Sequence, residues 1–319
     1  MRRLHFVYAD DPSTDRIDGA VAITKNLYNA LTQHYQVIYH RWDACHDIDL
    51  QPDDIFLGHP NYPPETVTQR VFAQNKPCRA KCLIHPLHTR RVQDNFPFDH
   101  MARAADLIFS ICGPYWYDTL PQTPFAHWQR KIIRLDMAVN SDIFPRIKTS
   151  FNQCRKLVYI GSATEHKNLE YLTEIIKAMP DVQLSWYGGH FEHPLARLQN
   201  VRTIGWQMLV GEAAKEICDN HDIFVNVSVS DANPTTLLEA SAWGLIAGCT
   251  PQSGYYQDPK FFELKLDDVN FCVNAIRRIM QMPETELVDW ANRNREEVVG
   301  KYNWHMFTDR VIEGLKRFE

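Results

Sequence analysis

The chain has 319 residues, of which 45% are hydrophobic and 23% charged, and its formal net charge is −5 at pH 7. At about 150 residues per domain, this length predicts two domains, each large enough to form its own core. The composition excludes collagen-like and low-complexity proteins, and the charge supplies no overall attraction for a polyanion, so we expect no nucleic-acid partner.

Cysteine usage and hydropathy point to a reducing compartment. The eight cysteines are scattered, and no C-x-x-C pair occurs. We expect reduced thiols, most of them in the core. The apolar run at 4–9 is too short for a signal peptide, and no run of eighteen apolar residues occurs. We therefore expect a cytoplasmic protein.

Strand and helix signals alternate through the first half of the chain. Gly19 begins a predicted helix whose apolar positions share one face, at Val21, Ile23, Leu27, Tyr28 and Leu31. Runs rich in β-branched and aromatic residues predict five strands, at 4–9, 35–40, 54–59, 82–85 and 106–111. This alternation predicts a doubly wound parallel sheet covered by helices.

The pattern lapses into a polar segment at 136–155 and then resumes, so we predict a domain boundary there. Five further strands are predicted at 156–162, 182–188, 200–206, 223–229 and 245–250. The last sixty residues read as helices, with packing positions at Trp290, Val298, Trp304, Phe307, Val311, Ile312 and Leu315. The predicted fold is two Rossmann-like domains, 1–140 and 141–300, facing a cleft, with a terminal helix at 301–319 that packs back toward the first domain and braces both.

Ligands of such sheets bind beyond the carboxyl ends of the strands. The richest polar group after a strand is the segment from Asp231 to Glu239, in which Pro234 precedes Thr235 and Thr236 in the first turn of a helix. Amide groups of that turn can hold a diphosphate, and the Glu239 carboxylate can accept hydrogen bonds from a sugar diol. On spacing alone, a capped helix with a solvated glutamate is the favoured alternative.

Two further groups follow predicted strands. Lys167, between a strand that ends at Gly161 and a helix, can add a positive charge at a phosphate site, although a lone lysine there is more often a solvated loop residue. Gly19 allows close approach of a ligand to the backbone. His59 and His85 each end a strand, where either can bind a sugar hydroxyl or transfer a proton, although a structural histidine is the commoner case.

Several other motifs are absent or better explained by structure. No G-x-G-x-x-G follows the first strand, and no P-loop or G-x-S-x-G motif occurs. Turn chemistry explains the D-x-D pair Asp47 and Asp49, and prolines oppose a helix that presents His85 with His88 or His190 with His193, so we predict no metal. A group of aromatic and basic residues suits either an acceptor surface or, preferably, packing: Tyr115, Trp116, Tyr117, Trp128, Arg130, Lys131 and Arg134.

In order along the chain, these pieces resemble a GT-B glycosyltransferase of the large retaining family four, the glycosyl transferases group 1. The segment DANPTTLLEASAWG resembles the donor motif of the family, in which two acidic residues eight apart flank a turn and a helix. The resemblance implies that Glu239 contacts the nucleotide ribose and that Asp231 faces the donor sugar. Asp231 departs from the pattern, because the family has a glutamate there.

Other segments carry the same resemblance. IGSATEHKNLEYL resembles the phosphate-binding strand and helix start, with Lys167 on the family's lysine and Ser162 where an arginine usually stands. The first-domain glycine loop of the family resembles DGAVAITKNLYNAL, with Gly19 as its glycine, and the acceptor-domain histidine matches His85 in CLIHPLHT. The interdomain segment of the family resembles LDMAVNSDIFPR, and the wall beside the nucleobase resembles VRTIGW. The catalytic residues so implied are Lys167, Asp231 and His85. The implied nucleotide-sugar-binding residues are Gly19, Gly161, Ser162, Asn233, Thr235, Thr236 and Glu239.

The resemblance implies a metal-independent retaining hexosyltransferase in glycan biosynthesis. Its donor substrate would be a nucleoside diphosphate sugar, its acceptor a glycan or a lipid-linked glycan, and it would need no cofactor. A lipid-linked acceptor adds the expectation of peripheral contact at the inner face of the membrane. Two alternatives stay open: a sugar-nucleotide epimerase or hydrolase on the same fold, and a non-catalytic partner subunit that has lost its chemistry.

Overall fold

The computed structural model describes residues 1–14, 18–60, 65–74, 76–87, 96–151, 155–256 and 260–319, without the side chains of residues 96 and 97. It divides into two compact units. Unit 1 comprises Met1–Cys112, Trp116–Asp136 and Trp304–Glu319, and unit 2 comprises Gly113–Tyr115 and Met137–Asn303. Apart from the three residues Gly113–Tyr115, the chain changes units after Asp136 and after Asn303, whereas the sequence suggested changes after residues 140 and 300.

Unit 1 is built on a parallel sheet. Its six described strands are β1 (Arg3–Tyr8), β2 (Gln36–Arg41), β3 (Ile55–Gly58), β4 (Ala80–Pro86), β5 (Leu107–Ile111) and β6 (Ile132–Leu135), in the spatial order β2-β1-β3-β4-β5-β6. Every residue of β3 and β5 is buried, as expected of a sheet that helices cover on both faces. The five strands predicted in this half are confirmed, and β6 was not predicted.

The first half has four described helices, and the first of them has a side-chain cap. They are α1 (Gly19–Leu31), α2 (Val67–Ala73), α3 (Phe96–Ala104) and α4 (Gly113–Thr119). The Asp18 carboxylate accepts a hydrogen bond from the amide of Val21 at 3.2 Å and so caps α1. Four of the five predicted packing residues of α1 are buried, at Val21, Ile23, Leu27 and Leu31. The predicted helix at Gly19 is confirmed.

Unit 2 repeats this architecture. Its described strands are β7 (Leu157–Ile160), β8 (Leu184–Tyr187), β9 (Val201–Ile204), β10 (Ile223–Asn226), β11 (Ile246–Cys249) and β12 (Phe262–Glu263), parallel and in the order β12-β11-β10-β7-β8-β9. The five strands predicted in this half are confirmed, and the two-residue β12 was not predicted. The doubly wound α/β class is therefore correct for both halves of the chain.

The helices of the second half flank the sheet of unit 2, apart from the last. They are α5 (Leu169–Lys177), α6 (Glu212–Asn220), α7 (Thr235–Trp243), α8 (Val269–Gln281), α9 (Glu284–Lys301) and α10 (Trp304–Leu315). Helix α9 packs on α7, where Asn294 donates to the Ser241 hydroxyl at 3.1 Å. Helix α10 belongs to unit 1, where Gly314 lies against the side chains of Phe109 and Ile133. The predicted helical C-terminus is confirmed.

Several aromatic residues and most of the described cysteines lie in the core. Trp116 and Trp128 are 4% and 1% exposed, which confirms packing as the role of these two rings. The seven described cysteines are free thiols, and five of them are buried: Cys82, Cys112, Cys218, Cys249 and Cys272. Cys154 lies outside the described residues. No helix among the described residues is long and apolar enough to cross a membrane.

Strand order reverses once in each sheet. In unit 2 the chain runs from β7 outward through β8 and β9, then returns to β10 on the other side of β7 and continues through β11 and β12. In unit 1 the corresponding neighbours are β1 and β3. The loops that follow two such neighbouring strands diverge and leave a crevice, which is the usual ligand position in open α/β sheets.

Candidate functional site

The crevice of unit 2 brings together the loops after β7 and β10. The amide of Val229 donates to the carbonyl of His166 at 3.0 Å, and the side chain of Asn168 donates to the carbonyl of Val227 at 3.4 Å. Between these contacts, the Lys167 ammonium group donates to the Asp231 carboxylate. Two residues that are 64 positions apart in the sequence therefore form an ion pair at the carboxyl edge of the sheet.

This ion pair is partly open to solvent, with 18% of the Lys167 side chain and 14% of the Asp231 side chain exposed. Its two charges cancel, so the pair offers an incoming diphosphate much less attraction than an isolated ammonium group would. An anion in this crevice must therefore draw on other positive groups as well. The sequence placed both residues in one site but did not indicate that they pair.

The first turn of α7 supplies such groups. Pro234 is the N-cap residue, with φ −65° and ψ 127°, and it provides no side-chain hydrogen bond to the turn. Thr235 and Thr236 begin the helix and are half-buried. The backbone N–H groups of an uncapped first turn carry partial positive charge and point along the helix axis, so they bind anions.

Glu239 lies one turn further along α7 and is half-buried. Burial raises the pKa of Glu239 to about 7, against the opposing effect of a hydrogen bond from the Thr235 side chain. At neutral pH its carboxyl group is therefore divided between the protonated and the charged form. A solvated glutamate, the alternative that spacing alone favoured, does not describe this side chain.

Gly161 and Ser162 follow β7 directly. The amide of Gly161 donates to Tyr187 at 2.9 Å, and its carbonyl accepts from the indole of Trp186 at 2.8 Å. A Cβ at position 161 would lie 2.7 Å from the hydroxyl of Tyr159, so glycine keeps this turn close to the buried ring. The Ser162 hydroxyl lies 3.3 Å from that of Thr164, and this side chain brings no positive charge to the turn.

Asn233 has a structural contact that the sequence did not predict. It is 4% exposed, and its amide oxygen accepts a hydrogen bond from the backbone N–H of Met137, the first residue of unit 2 after the chain leaves unit 1. Its nitrogen lies against Gly113, where a Cβ would come within 2.7 Å. Asn233 therefore anchors the loop between Asp231 and α7, and its predicted contact with the nucleotide sugar stays a prediction.

A buried polar network braces the neighbouring loops, and sequence reasoning missed it. The Thr250 hydroxyl donates to the carbonyl of Ser228 at 2.6 Å, and the Ser253 hydroxyl donates to the Asn226 side chain at 3.0 Å. The amide of Asp231 donates to the carbonyl of Gln252 at 2.9 Å. These bonds hold the loops after β10 and β11 together and so fix Asp231. Small polar residues after both strands were the signal available in the sequence.

The predicted residues of the first half lie in unit 1. Gly19 is the first residue of α1 and is half-buried. His85, in β4, is 4% exposed, and the centroid of its ring lies 5.4 Å from that of His59 and 4.7 Å from that of Phe98. His59 follows β3 and packs edge-on against Tyr8, the last residue of β1, at 5.0 Å. The two histidines thus belong to one aromatic cluster beside the β1–β3 crevice.

The considered metal motifs have other structural roles. Asp47 accepts a hydrogen bond from Gln74 at 3.1 Å, and the His193 ring accepts one from the amide of Leu195 at 3.1 Å. His88 lies outside the described residues. Within the described ranges, no group of three or more His, Cys, Asp or Glu side chains is arranged to hold a metal ion.

Comparison with protein families agrees with the geometry of unit 2. Residues 154–287 match the family described as glycosyl transferases group 1, and this range contains the loops after β7 and β10, the ion pair and α7. The matched range covers 134 of the 319 residues. The comparison with curated protein sequences gave no significant match.

Solved structures of the same fold cover nearly the whole chain at low sequence identity. The sucrose-phosphate synthase of Thermosynechococcus elongatus has a TM-score of 0.69 at 14% identity, over 99% of each chain. The catalytic domain of starch synthase IV from Arabidopsis thaliana, bound to ADP and acarbose, has a TM-score of 0.70 at 11% identity, over 99% of each chain. Anabaena HepE in complex with UDP and glucose has a TM-score of 0.66 at 12% identity, over 99% of this chain and 100% of that chain. The chain has the GT-B fold of two Rossmann-like units, and the glycosyl transferases group 1 segment supports glycosyl transfer as its class of reaction.

Proposed function

We propose that this chain is a retaining glycosyltransferase that moves a hexose from a nucleoside diphosphate sugar to a glycan or a lipid-linked glycan. The observation that carries the proposal is the Lys167–Asp231 ion pair at the β7–β10 crevice, in the loop that leads into α7, whose N-cap residue Pro234 makes no side-chain hydrogen bond to the first turn. Anion-binding groups are concentrated where this fold class takes its ligands. The proposed transfer uses no metal, because Lys167 and the amides of α7 would supply the positive charge.

The nature of the donor follows from the elements around the crevice. A diphosphate fits the first turn of α7, and the Glu239 carboxylate one turn on suits the hydroxyls of a ribose. Trp206 follows β9 and is 83% exposed, so its indole is available to a nucleobase. Structures of the same fold hold ADP or UDP in two of the compared proteins, which supports a nucleotide donor.

The proposed chemistry is displacement with retention at the anomeric carbon. The bond from that carbon to the phosphate oxygen breaks, and a bond to the acceptor hydroxyl oxygen forms on the same face. The acceptor proton passes to the departing phosphate oxygen, so the step needs no protein base. Negative charge grows on the diphosphate as it leaves, and Lys167 with the α7 amides would stabilise it.

Asp231 has two effects in this scheme. Its carboxylate can accept a hydrogen bond from a donor-sugar hydroxyl, and it orients the Lys167 ammonium group. It also competes with the diphosphate for that group. In unit 1, His85 would bind a sugar hydroxyl and Gly19 would allow close approach of the ligand to the backbone of α1. Since Ser162 brings no charge, the α7 amides would stabilise a larger share of the negative charge of the diphosphate than they would beside an arginine.

Substitutions at the ion pair test the proposal. We expect Lys167→Ala to lower turnover by roughly 10²-fold, as the loss of an electrostatic catalytic group commonly does. Asp231→Asn removes the competing charge, so we expect tighter nucleoside diphosphate binding together with slower turnover. The measurements are calorimetric affinities for ADP, GDP and UDP, and rates of transfer from the matching nucleotide sugars.

Lys177→Ala is the matched control, because Lys177 is an exposed lysine at the end of α5. Turnover of Lys167→Ala near that of the unsubstituted chain at saturating donor would contradict the electrostatic role. An inverted anomeric linkage in the product, determined by NMR, would contradict retention. Nucleotide binding without transfer to any acceptor would indicate a non-catalytic subunit, and consumption of the donor without an acceptor would indicate an epimerase or hydrolase.

A further inference from the structure

A second polar cleft lies at the opposite edge of the unit 2 sheet. Its volume is about 280 Å³, and its walls come from the starts of β8 and β9 and from the residues before β7 and β10. Leu184 and Val201 are the apolar members of its lining, and the other lining residues are polar or charged. The amino edge of the sheet is remote from the Lys167–Asp231 pair, which lies beyond the carboxyl ends of β7 and β10. The cleft is therefore separate from the proposed donor site.

A buried serine–histidine pair forms part of this lining. His221 is 3% exposed, and its Nδ1 lies 2.9 Å from the carbonyl oxygen of Ile217 while its Nε2 lies 2.7 Å from the hydroxyl oxygen of Ser185. A carbonyl oxygen only accepts, so Nδ1 carries the proton and Nε2 accepts from the Ser185 hydroxyl. Burial lowers the pKa of His221, and the positive charge of Lys156 lowers it further, so the ring is neutral. The Ser185 oxygen therefore has lone pairs left to accept a hydrogen bond.

Two cations share the cleft with this pair. Lys156 is half-buried, and its ammonium group makes no hydrogen bond or ion pair within the part of the chain that the structure describes. Arg202, on β9, is exposed and has a weak contact with Glu216 at 3.8 Å. The buried carboxylate of Asp222 is already paired with Lys148 at 2.8 Å. A half-buried cation without a counter-charge favours an anion beside it.

From this arrangement we propose a second binding site, at the Lys156 cleft, for a small phosphorylated polyol such as a sugar monophosphate. The phosphate group would lie between Lys156 and Arg202, since ammonium and guanidinium groups are the usual partners of a phosphate. The hydroxyls would bind the Ser185 oxygen and the side-chain amides of Gln183, Gln199 and Asn220 along the rim. The volume is at the lower end for ligand pockets, so a single sugar phosphate fits this cleft better than a complete nucleotide sugar.

The test is isothermal calorimetry with glucose 6-phosphate as the probe and with glucose and inorganic phosphate as the comparison ligands. We expect glucose 6-phosphate to bind more tightly than either comparison ligand. Lys156→Ala should weaken its binding by about tenfold or more, the usual effect of losing a hydrogen bond to a charged group. Lys156→Arg should keep most of the affinity, because the charge remains.

Two controls separate this site from the donor site. Lys177→Ala, an exposed lysine of the same unit, should leave glucose 6-phosphate binding unchanged, and so should Lys167→Ala. Nucleoside diphosphate binding should show the reverse pattern, with a loss in Lys167→Ala and none in Lys156→Ala. The binding that each variant keeps verifies that it is folded. Absence of glucose 6-phosphate binding, or binding that depends on Lys167 and not on Lys156, would overturn the second site. Equal affinity for inorganic phosphate would overturn its recognition of hydroxyls.

Discussion

Glu239 combines a charged side chain with a position that disfavours its charge. Its pKa of about 7 means that the folded protein holds a proton there that a solvated glutamate would release near pH 4.5. Between these two pH values the folded state binds more protons than the unfolded state, so the free energy of unfolding falls as the pH rises. The glutamate therefore lowers stability at neutral pH, which agrees with a residue kept for binding.

The Glu239→Gln variant tests this interpretation. The neutral amide removes the burial penalty of the charge, so we expect a higher melting temperature than that of the unsubstituted chain at pH 8 and little difference at pH 4.5. Nucleoside diphosphate binding should weaken, because an amide oxygen is a poorer acceptor for ribose hydroxyls than a carboxylate. Thermal unfolding at both pH values and calorimetry at pH 8 supply the measurements.

The outcome for nucleotide binding decides between a binding role and a structural role. In the unsubstituted chain, affinity should also fall as the pH drops from 8 to 6, since the ribose prefers the charged carboxylate. That dependence should disappear in Glu239→Gln. An affinity that the substitution leaves unchanged would remove Glu239 from the site.

At the scale of residues, the sequence predicted which residues lie together better than it predicted their pKa values and ion pairs. Spacing placed Thr235 and Glu239 on one side of a helix, and the structure has them in hydrogen-bond contact. The raised pKa depends on burial within the folded unit, and that packing brings together residues distant in sequence. The Lys167–Asp231 pair likewise forms because β7 and β10 are neighbours in the sheet. Local sequence does not determine the order of strands in a sheet.

At the scale of elements, the site depends on close approach between the loops after β10 and β11. Gly254 has φ +89°, a conformation that side chains disfavour, and a Cβ there would lie 2.2 Å from the carbonyl oxygen of Ala232. Asn233, which follows Ala232, anchors the loop after β10 to Met137. The position of Asp231 is thus set by backbone contacts and not by its own side chain alone.

Gly254→Ala should therefore affect both stability and binding. Backbone atoms cannot move aside as a flexible side chain does, so we expect a loss of about 1–3 kcal/mol in the free energy of unfolding, with weaker nucleoside diphosphate binding. Gly300→Ala is the matched control, because Gly300 lies on α9 and a Cβ there would meet no described atom within 4 Å. Denaturant unfolding and calorimetry compare the two variants. Equal effects of the two substitutions would contradict the proposed backbone restraint.

Most elements could be predicted from local sequence, and the two missed strands show why the rest could not. Most of the ten predicted strands are rich in β-branched and aromatic residues, and each of the ten was predicted within a few residues of its observed bounds. Strand β6 follows a basic helical turn, β12 has only two residues, and both lie at an edge of their sheet. Such edge segments become strands because a formed sheet offers them hydrogen bonds, which is information from tertiary structure.

At the scale of the whole chain, each unit has a buried histidine that is hydrogen-bonded to polar neighbours, His5 in unit 1 and His221 in unit 2. In unit 1 a chain of hydrogen bonds crosses strands, from Asp54, before β3, to His5 of β1 at 3.3 Å and from His5 to His40 of β2 at 3.1 Å. Arg3 also contacts Asp54, at 2.9 Å, and the ring of His46 lies 5.4 Å from that of His40. In unit 2 the amino edge holds the Ser185–His221 pair. Both units thus contain histidines whose pKa the folded structure lowers.

These histidines make the fold sensitive to acid. Burial lowers the pKa of His40 to about 4, helped by the neighbouring His5 and His46, and burial also lowers the pKa of His5 against the attraction of Asp54. An unfolded histidine takes up a proton near pH 6.5. Between pH 6.5 and 4 the unfolded state therefore binds more protons than the folded state, and the free energy of unfolding decreases as the pH falls.

The His40→Gln variant measures this contribution. The glutamine amide can still donate to the His5 ring but takes up no proton, so its stability should fall less steeply with acid than that of the unsubstituted chain. The expected difference at pH 4.5 is on the order of 2 kcal/mol after allowance for solvent screening at a half-buried site. Denaturant unfolding at pH 7.0, 5.5 and 4.5 gives the slopes, with His34→Gln, at an exposed position of unit 1, as the control. If both variants lost stability with acid as steeply as the unsubstituted chain, the His5–His40 pair would not be a source of its acid sensitivity.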